Sequence, residues 1–330
     1  MATQTEVLKF LMQTAPDYYS GDDLAQQIGV SRTAIWKAIQ SLQAAGYSIE
    51  SRHGLGYRYV ANNQLSAPVI MAGLAGPVQP KLITLDQVDS TNAYLKRLAV
   101  TEPLTEPTVV VADTQTGGYG RFGRPFYSPS STGVYLSIGL PIKAGAPFDP
   151  GLLTTGTAVA VAKTLDQLFD VTVALKWVND VLVNHHKVVG ILSEATTDLE
   201  SGQISTVIVG IGINLTLPTG DFPVDLKQKA GAVTTELTVT RNQVVSTLLS
   251  EFFTSYQTYT TGDFMADYRR LSMVIGQQVE LKTGATTITG VVNDIDATGA
   301  LVVQLPTGEV QHLSSGEITK VNLLTGGYRG

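Results

Sequence analysis

The chain reads as an α+β protein of several domains, and three observations predict this. At 330 residues it is longer than the ~100–200 residues typical of one domain. Its opening carries apolar residues at helical spacing followed by two short strand-like runs, whereas its last part carries only short strand-like runs cut by glycine turns. Between these ends, helix-like and strand-like runs mix around a glycine-rich loop. The predicted units are 1–61, a linker at 62–80, a central unit at 81–272 and a C-terminal unit at 273–330. Composition narrows the chemistry. Cysteine is absent, which excludes disulfides, thiolate metal sites and a thiol nucleophile. The sequence has no solenoid-length repeat and no low-complexity block. Its first residues do not resemble a signal peptide, and the uncharged run 201–220 is broken by Asn, Pro and Gly, which suits a buried strand pair rather than a membrane helix. A cytoplasmic location with no membrane partner is the expectation.

In 1–61, Val7, Phe10 and Leu11 set a first helix over 6–12. Ser20 with Asp23 approximates a capping box for a second helix, carried by Leu24 and Ile28 and stopped by Gly29. Ser31 caps a third. Its buried stripe is Ile35, Ile39 and Leu42, its outer side carries Arg32, Thr33, Trp36, Lys37, Gln40 and Gln43, and Gly46 ends it. Strand-like runs at 47–51 and 57–60 flank a basic turn, Arg52-His53-Gly54-Leu55-Gly56. Two helices joined by a brief turn and followed by such a wing resemble a winged helix-turn-helix. The net charge of -6 argues against a general nucleic-acid coat, yet over 31–60 the bases Arg32, Lys37, Arg52 and Arg58 face only Glu50. Lys37, Arg52 and Arg58 suit phosphates, while Arg32, Thr33 or Gln43 suit base edges. Three short helices alone serve protein contacts equally well, and it is the wing that favours DNA.

Residues 61–80, with three prolines, read as a linker holding one short helical turn. In the central unit, strands are predicted at 82–85, 108–112, 134–140 and 188–192, with a helix at 93–98 behind Asp89-Ser90-Thr91-Asn92. The stretch 113–124 holds four glycines, Gln115, Arg121 and Arg124. Its GxGxxG string opens no helix, which disfavours a dinucleotide fingerprint and leaves a flexible anion-binding loop or an ordinary glycine-rich surface loop. Ser90 and Thr91 read as a helix cap or, with Gln115, as donors and acceptors for a small amide or urea group. Lys187 opens a strand after the turn Asn184-His185-His186, where lysines are commonly just solvated. Adjacent His185 and His186 point to opposite strand faces, so no metal site is assigned. Helices follow at 241–259 and 264–271, then short strands at 278–282, 286–295, 300–304 and 309–313 that predict a small barrel.

In this order, Asp89-Ser90-Thr91-Asn92, the loop from Gln115 to Arg124, Lys176-Trp177-Val178-Asn179-Asp180, the run from Lys187 to Glu194, and Gly210-Ile211-Gly212-Ile213-Asn214 resemble the motifs of the biotin protein ligases, and within them the bifunctional biotin operon repressors. The match spans essentially the whole chain. The resemblance implies a central mixed sheet with helices similar to class II aminoacyl-tRNA synthetases and an SH3-like C-terminal barrel. It implies a two-step reaction in which biotin attacks the α-phosphate of ATP, giving biotinyl-5′-AMP and pyrophosphate, and a lysine of a biotin carboxyl carrier domain then attacks the acyl carbon. Lack of cysteine fits, since no covalent enzyme intermediate is needed. ATP and Mg²⁺ are the implied cofactors. The resemblance further implies that biotin is both substrate and corepressor precursor, that operator DNA is a partner, and that the adenylate-bound chain forms a homodimer.

Carried over residue by residue, Ser90, Thr91, Asn92, Gln115, Gly118 and Tyr119 surround biotin, and Lys187 holds its carboxylate and the adenylate phosphate. Arg121, catalytic with Lys187, and Arg124 sit on phosphates, and Phe126 meets adenine or closes the loop. Lys176, Asn179, Asp180 and Asn214 form the nucleotide and Mg²⁺ end. Two positions depart from the family, which commonly has arginine at Tyr119 and proline at Val178. If position 119 contributes its backbone, Tyr119 is tolerated; if its side chain meets phosphate, the loop has lost a charge. Val178 is expected to alter only turn stiffness. Three rivals stand beside this reading: a lipoate-protein ligase, a transcription factor that only senses a ligand, and a ligase without a DNA-binding role.

Overall fold

The computed structural model describes residues 2–143, 145–197, 202–218, 231–284, 286–322 and 328–329. The chain begins with α1 (Ala2–Gln13), α2 (Gly21–Ile28), α3 (Arg32–Ala44) and the hairpin of β1 (Ile49–Arg52) and β2 (Gly56–Tyr59). The capping box closes α2: Ser20 Oγ accepts from Asp23 N at 3.1 Å and Ser20 N donates to Asp23 Oδ2 at 3.3 Å. Ser31 Oγ accepts from Ala34 N at 3.2 Å to start α3. Ile35, Ile39 and Leu42 are buried against Val7, Leu11 and Leu24, as the spacing predicts.

The linker is more structured than its composition suggests. It contains α4 (Ala67–Gly73), whose Val69 packs into the N-terminal core and whose neighbour Ile70 packs into the central one. Upstream of it, Ser66 N donates to Asn242 Oδ1 at 2.9 Å, Asn242 Nδ2 donates to the Gln64 carbonyl at 2.7 Å, and Arg241 Nη2 donates to the Asn63 carbonyl at 2.6 Å. Tertiary hydrogen bonds therefore fix a segment that local sequence marks only as turn-rich.

The central unit runs β3 (Lys81–Val88), α5 (Thr91–Thr101), β4 (Thr108–Gln115), β5 (Gly133–Pro141), α6 (Pro150–Phe169), β6 (Val173–Lys176), β7 (Asp180–Val183), β8 (His186–Thr197), β9 (Ile204–Asn214), α7 (Arg241–Tyr256) and α8 (Met265–Leu271). Its seven strands pair in the order β3-β4-β5-β9-β8-β7-β6, with β3 and β4 parallel and the rest antiparallel, so the sheet is mixed. α6 and α7 cover one face, and α5 covers part of the other over Leu95, Val110 and Ile208. The uncharged run at 201–220 provides one strand, β9, rather than a pair. Flanked by β5 and β8 and buried on both faces, β9 needs no polar alternation. Residues 201, 219 and 220 of that run lie outside the described residues. α6 escapes prediction because it is buried nearly all round, and a helix without a polar face shows no amphipathic stripe.

The C-terminal unit adds β10 (Gln278–Thr283), β11 (Thr286–Ile295), β12 (Leu301–Gln304), β13 (Val310–Leu313), β14 (Glu317–Asn322) and β15 (Tyr328–Arg329). They form one antiparallel sheet in the order β13-β12-β11-β10-β14-β15. β14 was not predicted. A register shift against β10 between Glu280 and Leu281 puts the buried Ile318 and Val321 three apart, which hides the alternation of a strand. Among the described residues no helix is long and apolar enough to cross a membrane.

Candidate active site

One cavity of about 630 Å³ opens between the glycine-rich loop, β8, β9 and β14. Two glycines of β9 shape its floor. A Cβ on Gly212 would lie 2.4 Å from the Phe126 ring, and one on Gly210 would lie 2.3 Å from Asn92 Oδ1. The glycines of Gly210-Ile211-Gly212 are thus demanded by an aromatic ring and an amide resting on the strand. Phe126 in turn meets Tyr135 edge to face, with ring centroids 6.4 Å apart.

At one end lies a neutral polar cluster. Ser90 caps α5, its Oγ accepting from Ala93 N at 3.4 Å. Thr91 donates to Gln115 Oε1 through both its amide (2.9 Å) and its hydroxyl (3.1 Å), and Gln115 Nε2 donates to Ser128 Oγ at 2.8 Å. With Ser137 Oγ 2.7 Å from Thr91 Oγ1, this leaves a second N–H on Gln115 and one lone pair on the Thr91 hydroxyl, a mixed donor and acceptor set. The cap reading and the ligand reading of Ser90-Thr91 are therefore compatible. The Tyr119 side chain turns to Lys96 and Glu194, with its hydroxyl donating to Glu194 Oε2 at 3.0 Å and accepting from Lys96 Nζ at 3.2 Å.

The other end is charged. Lys187 Nζ lies 2.7 Å from Asp180 Oδ1, an ion pair in which that buried oxygen has no hydrogen bond. Arg121 Nη1 donates to Asn179 Oδ1 at 3.3 Å, and Asn179 Nδ2 donates to the Ile191 carbonyl at 2.9 Å. Burial lowers the Arg121 guanidinium from its usual value, with Asp180 and Glu317 opposing. Burial likewise lowers the Lys176 ammonium, which is 5% exposed, again against Asp180. Arg124 pairs with Glu317 of β14 through both guanidinium nitrogens. The Trp177–Val178 peptide bond is cis. Between Arg121 and Arg124, Phe122 is 73% exposed at the loop tip.

Of the residues singled out from sequence, Ser90, Thr91, Asn92, Gln115, Tyr119, Arg121, Arg124, Phe126, Lys176, Asn179, Asp180, Lys187 and Asn214 line this cavity. Gly118 does not; its carbonyl accepts from Phe126 N at 2.8 Å and holds the loop's turn. Sequence reasoning missed Glu317 and Lys96. Glu317 sits on the unpredicted β14, and Lys96 carries no motif signal beyond standing four residues after Asn92 on a helix. Among the described residues no group of three or more His, Cys, Asp or Glu could hold a metal ion.

Residues 84–214 match the Biotin/lipoate A/B protein ligase family, 3–58 an HTH domain, and 274–321 the Biotin protein ligase C terminal domain. The chain is 32% identical over 310 residues to the bifunctional ligase/repressor BirA of Bacillus subtilis, covering 92% of this chain and 94% of the relative. It belongs to the bifunctional biotin ligase/repressor family. Its Escherichia coli relative, also named bifunctional ligase/repressor BirA, is 29% identical over 330 residues, covering 97% of this chain and 98% of the other. A solved biotin protein ligase from Aquifex aeolicus, in complex with biotin and ATP, superposes with a TM-score of 0.61 at 26% identity, covering 72% of this chain and 97% of that one.

The ligase/repressor family's helix-turn-helix has a mixed face here. Arg32, Thr33 and Lys37 are exposed on α3, and Trp36 beside them is 53% exposed. Two of the bases are already paired: Arg32 with Asp22 at 3.2 Å, and Arg58 with Glu50 at 2.6 Å while lying over the Tyr18 ring. Lys37 and Arg52 have no ion pair among the described residues. The Gln43 side chain is engaged within the unit, its Nε2 donating to the Ile49 carbonyl at 2.8 Å.

Proposed function

We propose that this chain activates biotin with ATP, transfers it to a lysine of a biotin carboxyl carrier domain, and represses transcription through its N-terminal unit. What carries the reading is that one cavity holds a neutral hydrogen-bonding end at Thr91 and Gln115 and a cationic end at Lys187 and Arg121. Biotin has that polarity: a neutral ureido ring at one end, a carboxylate at the other. In the first step a carboxylate oxygen attacks the α-phosphorus and the bond to the β-phosphate oxygen breaks, releasing pyrophosphate. Lys187 then holds carboxylate and phosphate together, and Arg121 balances charge on the phosphate. In the second step the acceptor amine adds to the acyl carbon, AMP leaves, and the nitrogen loses its proton.

Mg²⁺, when bound, neutralises phosphate charge as a hard cation. Asp180 and Asn179 would hold it, Asp180 Oδ1 giving up the Lys187 ammonium at 2.7 Å and Asn179 Oδ1 the Arg121 guanidinium at 3.3 Å. The C-terminal sheet is read as an SH3-like barrel that supplies Glu317 to the cavity's charged end. An acyl group lacking ureido hydrogen-bonding atoms, such as lipoyl, would leave the Thr91–Gln115 cluster unmatched. Adenylate that orders the loop is further proposed to favour a homodimer placing two winged helices on paired half-sites. Equal operator affinity with and without biotin and ATP would rule that out.

Incubation with biotin, ATP and a carrier domain tests the main reading. The acceptor should gain the mass of one biotinoyl group, and pyrophosphate should be released. A ligand-sensing transcription factor would do neither.

A further inference from the structure

Lys96 and Glu194 lie just outside the cavity, yet both hold residues that line it. The carboxylate of Glu194 on β8 collects three groups: Lys96 Nζ at 2.5 Å on Oε1, and on Oε2 the Asn92 amide at 2.8 Å and the Tyr119 hydroxyl at 3.0 Å. Asn92 and Lys96 stand four apart on α5 and so share one helix face. The Lys96 ammonium also lies 5.6 Å from the Tyr119 ring centroid. Burial raises the carboxyl of Glu194, but the hydrogen bonds from Lys96 and Asn92 outweigh it and hold it below its usual value, so the acceptor stays charged. Asn92 continues the network inward: Ser137 Oγ is within hydrogen-bond reach of both Asn92 Oδ1 and Thr91 Oγ1, and Thr91 bonds Gln115. The circuit runs from the loop at Tyr119 through a helix and a strand, and returns to the start of the loop at Gln115.

We propose that Lys96 and Glu194 are positioning residues for the acyl substrate, clamping the glycine-rich loop through the Tyr119 phenol so that its backbone and Gln115 meet the ureido ring already ordered. The inference rests on assigning the Thr91–Gln115 end of the cavity to biotin. A hydroxyl donating to a carboxylate is among the stronger hydrogen bonds, and a loop ordered beforehand spares the ligand that cost. The clamp touches neither phosphates nor the reacting carboxylate. Its loss should therefore appear in biotin binding and not in the chemical step.

The test measures pyrophosphate release by the full chain against biotin and against ATP for Lys96→Met, Glu194→Gln, Tyr119→Phe and the pair Tyr119→Phe/Glu194→Gln, with Gln115→Ala as reference. Each clamp variant is expected to raise the biotin KM about tenfold while leaving kcat and the ATP KM close to wild type. The pair should fall short of the sum of its members, because the Tyr119–Glu194 contact is common to both changes, and Lys96→Arg should keep the biotin KM near wild type. Tyr119→Phe removes a single hydroxyl and keeps the ring, so it reports even where a charge change disturbs folding. An unchanged biotin KM in Tyr119→Phe, or a fall in kcat alone, overturns the clamp. If Gln115→Ala also leaves the biotin KM unchanged, the assignment of this end to biotin fails first.

Discussion

Lys187 and Asp180 show how much one side chain can be asked to do. Their ion pair sits at the cavity wall with Lys187 35% and Asp180 16% exposed, so a bound carboxylate or phosphate would meet a partly exposed ammonium held in place by Asp180. Lys187→Ala removes a charge-assisted contact of about 1.5 to 3 kcal/mol, and single-turnover adenylate formation should fall by about ten- to a hundredfold in kcat/KM. A wild-type rate would remove Lys187 from the reaction. Away from the cavity, Asp296 offers a pH-dependent contribution to stability. Burial raises its carboxyl, but hydrogen bonds from His312, Thr298 and Ala300 overcome this and bring it down to about 2 from 3.8. Because the folded value is the lower one, the contribution is complete above the unfolded value and is lost as pH falls from about 4 towards about 2. Asp296→Asn should flatten the urea midpoint across that window and leave its slope at neutral pH alone.

Elements meet most tightly where α7 begins. Arg241, 2% exposed, pairs with Asp113 at 2.5 Å at the base of the glycine-rich loop and donates to Asn63 in the segment leading from the winged helix. Arg241→Met leaves Asp113 with only Ser130 and Ser131, and should cost about 3 kcal/mol in urea unfolding. Adding Asp113→Asn should recover part of that loss by removing the unbalanced charge. The α2–α3 pair, the wing and the first four C-terminal strands were legible because their spacing, caps and turns are local. α6 and β14 were not, the first lacking a polar face and the second carrying a bulge. The loop was legible as glycine-rich and bearing two arginines, but its Arg124 faces Glu317 from a strand about two hundred residues later, a pairing no spacing rule reveals.

Across the chain, a net charge of -6 means that DNA binding must be a local property of the winged helix. Two of its four singled-out bases are held by acids, so the electrostatic footprint is smaller than the base count suggests. Asp22→Asn releases Arg32, and in fluorescence anisotropy titrations it should tighten operator binding and steepen the log K against log salt slope by about 1. No change in slope would mean that Arg32 does not reach phosphate.

Local patterns were enough to reveal three units, a winged helix, a glycine loop suited to anions and an ordered set of motifs, because caps, turns and periodicities act between residues near in sequence. The long-range arrangement had to come from packing. It joined the first two units through α4, turned the Tyr119 phenol toward Lys96 and Glu194, placed Gln43 on a backbone carbonyl, and brought Glu317 to Arg124. Each of those outcomes depends on which buried polar atoms find partners once the sheets are packed, and sequence proximity carries no record of that.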